Sequence, residues 1–149
     1  MESAHQDRKL IGDYKKYLKF KQLQFTNAQI AEQLDYSKQE LANLISTYTF
    51  RSNLEYKLQE EEGDYYFNGV FYVTQTVRNT LTANEILEIY IFTQDLVEQH
   101  KGIDYLQVFY LIEHDCKLFF IDQLSKAMIE SNQYSTEDNY CTLMLSSEY

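Results

Sequence analysis

Two sets of polar side chains are of the types that carry recognition chemistry, and they have opposite sign. Lys38, Gln39 and Asn43 lie close together in a helical pattern. A Gln or Asn amide matches the donor and acceptor of an adenine edge, and Lys approaches phosphate or guanine. Lys15, Lys19 and Arg51 add cations suited to phosphate. The second set is carboxylate: Glu60, Glu61, Glu62, Asp64, Glu85, Glu88, Asp95 and Glu98, interleaved with tyrosines. Carboxylates at intervals along a face imitate the phosphate spacing of nucleic acid and fit the basic groove of a DNA-binding protein. Steps of three and seven place Glu85, Glu88 and Asp95 near one side of a helix, where they are expected to be solvated.

Catalysis has no comparable set. The chain lacks a glycine-rich phosphate loop, an HExxH, a CxxC, and any Ser–His or Cys–His pair with activating neighbours, so an enzyme is not expected. Cys116 and Cys141 stand 25 residues apart in strand-like segments, a spacing for neither a disulfide framework nor a metal, and read as buried reduced thiols. His5, His100 and His114 share no ligand spacing, and His114-Asp115 reads as a hairpin turn. No metal or cofactor is expected.

These residues need elements to position them. Residues 7–24 place Leu10, Ile11, Tyr14, Tyr17 and Leu18 at helical spacing, with lysines on the other faces. Thr26-Asn27 is an N-cap signal for a short helix, AQIAEQL, which stops at Asp35-Tyr36. Ser37 and Glu40 form a capping box for a third helix, KQELANLISTY. Helix, short helix, sharp turn, helix is the order of a helix-turn-helix unit, with Ala31 as its small contact residue and Ile30, Leu34, Tyr36, Leu41 and Leu44 as its core. Asp35 stands where such turns often have Gly, and Asp tolerates the left-handed conformation. The exposed face of the third helix would show Ser37, Lys38, Gln39, Asn43, Ser46 and Thr47, with Glu40 opposing binding. A monomer should bind DNA weakly, so a dimer on a two-part site is expected.

RSNLEYKLQ reads as a further helix, and the acidic run ending at Gly63-Asp64 as a linker, giving a helical module over 1–62 and an α+β domain over 63–149. YYFNGVFYVTQTV reads as a strand, kinked at Gly69. Thr82 and Glu85 cap a long helix that closes at Gly102. DYLQVFYLIE and CKLFFID read as a hairpin, SKAMIESNQ as a short helix and NYCTLMLS as a last strand. The expected order is β-α-β-β-(α)-β, a mixed or antiparallel sheet with the long helix on one face.

Composition agrees with folding: 44% of residues are hydrophobic and 24% charged. Charge divides the chain, with nine Lys/Arg against seven Asp/Glu in residues 1–58 and four against sixteen in 59–149. There is no run of about 18 apolar residues, so a cytoplasmic protein with no membrane contact is expected.

Asp104-Tyr105-Leu106-Gln107-Val108-Phe109-Tyr110-Leu111, with the Leu-rich helix before it, resembles the small Firmicute domain of unknown function DUF960 over roughly residues 66–122. The resemblance implies a strand, helix, strand order and a phage or mobile-element setting, and carries no catalytic residues. A helix-turn-helix before an acidic domain is similar in layout to certain type II anti-CRISPR proteins, whose N-terminal module represses its own promoter while the rest inhibits Cas9. The leading expectation is therefore an acidic inhibitor of a basic, nucleic-acid-handling protein such as Cas9, with promoter DNA as a second partner. The rival is a plain regulator whose acidic half serves dimerisation or sensing.

Overall fold

A computed structural model describes residues 2–50, 53–57, 63–131 and 134–149. It divides into two compact units, Met1–Arg51 and Ser52–Tyr149. The class is α+β: a helical N-terminal part and a five-stranded mixed sheet with helices.

The first unit holds α1 (Glu2–Gln22), α2 (Asn27–Leu34) and α3 (Lys38–Tyr48). Its core forms where the apolar stripes meet: Tyr14, Tyr17 and Leu18 from α1, Ile30 and Ala31 from α2, Leu41, Leu44 and Tyr48 from α3. Leu34 and Tyr36 are half-buried at its rim. Both short helices start in full capping boxes, Thr26 with Gln29 and Ser37 with Glu40. The turn between them works as the pattern requires. Asp35 takes the left-handed conformation at φ 58°, and the Tyr36 amide donates to the Ala31 carbonyl at 2.8 Å. Ala31→Leu should overpack this contact, costing about 1–3 kcal/mol and loosening residues 26–50. Amide exchange across that segment measures it, and unchanged protection would show that Ala31 does not set the turn.

The second unit begins earlier than Gly63. Residues Leu54–Lys57, expected to be helical, form β1, an edge strand antiparallel to β3 (Leu106–Leu111). Alternation explains the change: Leu54 and Tyr56 sit on the inner face beside Leu111 and Phe109, while Glu55 and Lys57 sit on the outer one. The sheet continues through β4 (Cys116–Asp122) and β5 (Tyr140–Leu145) to β2 (Val70–Val73), in the order β1-β3-β4-β5-β2, and only the β2–β5 pairing is parallel. Asp115, left-handed at φ 44°, turns β3 into β4. The stretch TQTV after β2 is not strand but the start of α4 (Gln75–Thr80), because the Thr74 hydroxyl caps the Val77 amide and Val77 is fully buried. α5 (Ala83–His100) and the short α6 (Lys126–Glu130) complete the unit.

α5 lies on the face formed by Tyr56, Phe109, Leu118, Phe120, Cys141 and Leu143. Phe92 meets Tyr56 and Phe109, and Tyr90 meets Phe71 and Phe120. The loop before β2 folds onto the same face through Phe67, whose ring centroid is 4.8 Å from that of Phe120. The other sheet face carries Val70, Tyr72, Phe119, Tyr140, Thr142 and Met144, with Tyr149 standing edge-on over Phe119.

Candidate functional site

The exposed side of α3 presents Lys38, Gln39, Asn43, Ser46 and Thr47. Residues at i and i+4 share a helix face, and here the pair is joined: Gln39 Nε2 donates to Asn43 Oδ1 at 2.9 Å. Gln39 Oε1 and the Asn43 amide nitrogen are the acceptor and donor that this bond does not use, the two kinds of group that an adenine edge requires. Glu40, expected to oppose anion binding, keeps its negative charge on this face. It accepts from the Ser37 amide at 3.0 Å, and this bond and the Ser37 hydroxyl hold its carboxyl below the ordinary range, with Lys9 adding in the same direction.

Lys9 is the cation that the sequence reading missed. With Gln6 and Leu10 it forms the α1 wall of a cleft of about 360 Å3, whose other wall is Tyr36, Glu40, Asn43, Leu44, Thr47 and Tyr48. Lys15 and Lys19, chosen from sequence, are exposed on α1, but at 100° per residue they fall opposite the stripe of Asp13, Tyr14, Tyr17 and Leu18 that packs inward. They do not join Lys38, Gln39 and Asn43 in one surface. Arg51 lies outside the described residues. The hydroxyl of Tyr36 ties this side of α1 to the turn, donating to Asp13 Oδ2 at 2.5 Å. Burial and then that carboxylate push the Tyr36 phenol up to about 12, so it remains a donor at physiological pH. Asp13 was legible as a partner-seeker, since it is a carboxylate in phase with Tyr14 and Tyr17.

The carboxylates do not form the solvated row expected along α5. Glu85 Oε1 accepts from the Thr82 amide at 2.8 Å as a helix cap, and its Oε2 accepts from Asn53 Nδ2 at 3.0 Å. Asp64 accepts from the Ala127 amide at 3.2 Å through Oδ2 and from the Lys126 amide at 2.9 Å through its carbonyl, holding the start of α6. Glu88 and Asp95 are half-buried and neither is free. Glu98 is exposed. Glu60, Glu61 and Glu62 lie outside the described residues. The physical reason is that a carboxylate beside an unpaired helix amide is stabilised by it, so acids at helix starts are drawn into caps. Glu85→Lys should therefore destabilise the second unit by about 1–2 kcal/mol in addition to changing its charge. A thermal melt checks this, and an unchanged melt would make Glu85 a dispensable surface charge.

Both cysteines are free thiols; burial, and then Asp122, push the Cys141 thiol up to about 12, and burial raises that of Cys116. Among the described residues there is no group of three His, Cys, Asp or Glu side chains that could hold a metal ion, and no helix is long and apolar enough to cross a membrane.

No protein-family profile, characterised protein or solved structure matches the chain. Charge follows the boundary between the units: the first carries eight Lys/Arg against six Asp/Glu, the second five against seventeen.

Proposed function

We propose that the chain is a DNA-binding regulatory protein of the phage or mobile-element type, reading promoter DNA through α3 and engaging a protein partner through its acidic domain. The observation that carries this reading is the α2–turn–α3 geometry. A left-handed Asp35 and the Ala31–Tyr36 bond fix the two helices, and α3 turns the joined amides of Gln39 and Asn43 outward beside Lys38. The first unit's small positive charge supplies little nonspecific attraction, so binding depends on the α3 face and on two copies acting together. The test is titration of the full chain with the DNA upstream of its own gene and with a scrambled duplex at about 100 mM salt. A preference for the upstream duplex is expected, and equal binding to both would overturn the reading.

The charge imbalance favours a second role for the same chain. A surface rich in Asp and Glu speeds encounter with a basic groove, which fits inhibition of a nucleic-acid-handling protein such as Cas9. With Asp64 and Glu85 committed to helix caps, the contacts would fall on exposed acids such as Glu98, Glu130, Glu137 and Asp138. Retention on immobilised Cas9 that weakens steeply with salt supports this role, and its absence at low salt removes it.

A further inference from the structure

The outer face of the sheet is wrong for a surface meant only for water. A sheet that leaves one face to solvent ordinarily alternates apolar inward with polar outward. Here the outward positions of β2, β4 and β5 are Val70, Tyr72, Lys117, Phe119, Ile121, Tyr140, Thr142 and Met144, of which Ile121 is already buried. Val70 and Tyr72 are each 53% exposed and Tyr140 42%, with the rings of Tyr72 and Tyr140 packed edge to face at 5.7 Å. Contiguous apolar surface of this kind marks a docking site.

We infer that this face is where a second copy of the chain docks, sheet against sheet. Charge selects the occupant. Among the described strand residues the one acid on the outward side is Glu55, 3.2 Å from Lys57, and Lys117 lies in the same row beyond Tyr110. A basic partner finds almost no carboxylate here. Nucleic acid finds two lysines on a strongly acidic domain. Another copy of that domain finds the one sheet surface on which the two need not set carboxylate against carboxylate, and a two-fold contact requires such a self-compatible patch. Size agrees as well. Five strands make a patch roughly 20 Å on a side, and two such patches with their side-chain relief bury on the order of 1,000 Å2, the threshold for a specific interface. Such a dimer would also bring two α3 helices into one particle. It is nevertheless inferred from the sheet alone and read in the absence of DNA, so its failure still leaves two copies free to meet on DNA, and the upstream-against-scrambled titration decides the DNA reading separately.

The experiment is sedimentation of the full chain without DNA at micromolar concentration. A species of twice 17.8 kDa is expected, converting to single chains in Tyr72→Lys/Tyr140→Lys, with Thr142→Lys as an independent variant and circular dichroism confirming the fold of each. A wild type that stays monomeric overturns the inference, including the case in which these variants instead abolish binding to DNA or to Cas9. A dimer indifferent to both sets of substitutions overturns it equally, since the contact would then lie elsewhere.

Discussion

Asp122→Ala is expected to melt far below the wild type. Asp122 is 2% exposed, yet its two oxygens are both in use: Oδ2 accepts from the Phe67 amide at 2.9 Å and Oδ1 from the Gln123 amide at 3.0 Å. Phe67 needs that support. It is fully buried with φ 49°, a conformation costly for a bulky side chain, and its carbonyl is held in turn by Gln94 Nε2. Removing the carboxylate leaves the buried Phe67 amide without its acceptor, at about 1–3 kcal/mol, and leaves the Gln123 amide only its longer bond to the Tyr140 carbonyl at 3.3 Å. For a unit of this size that lowers Tm by roughly 10 °C or more. The pH dependence has a definite sign. Burial raises the Asp122 carboxyl above its ordinary range, and the amides of Phe67 and Gln123 and the Asn139 side chain oppose that rise without cancelling it. Folding therefore favours the protonated form. The resulting stabilisation is complete below the ordinary carboxyl range and is lost as pH rises through the raised folded value. Compared with Asp122→Asn, which does not titrate, the wild type should gain in relative Tm as pH falls through that window. Melts at a series of pH values decide it. A Tm difference that is flat with pH, or an alanine variant as stable as wild type, would show that Asp122 does not hold this loop.

The largest functional effect is expected at the joined amides of α3. Replacing Gln39 and Asn43 with Ala should weaken binding to the upstream duplex by about 10- to 100-fold, the value of one good base-edge pair, while leaving binding to scrambled DNA unchanged. Because Gln39 holds Asn43 at 2.9 Å, either single replacement should approach the double in effect. Lys38→Ala should instead weaken both duplexes alike and reduce the salt slope by about one. Anisotropy titrations at several salt concentrations separate these patterns. Equal losses on both duplexes for the Gln39/Asn43 variant would make the pair a phosphate contact rather than a reader of bases.

What the sequence determined by itself is what depends on residues three or four apart. Thr26, Ser37 and Thr82 each find a partner at the third position of their own helix, so three helix starts were legible. Asp35 carries within one residue the conformational tolerance that the turn needs. Tertiary structure decided whatever depends on distant partners. Leu54–Lys57 is too short to declare itself against a helical reading, and becomes a strand because β3, some fifty residues later, supplies its ladder. The acids of the second unit looked alike in sequence. Asn53, 32 residues away, draws one oxygen of Glu85 into the fold, and the Ala127 amide, 63 residues beyond Asp64, does the same there. Lys9 was singled out over Lys15 and Lys19 only when α1 packed, since helical spacing assigns residues to a face and packing alone determines which face meets α3.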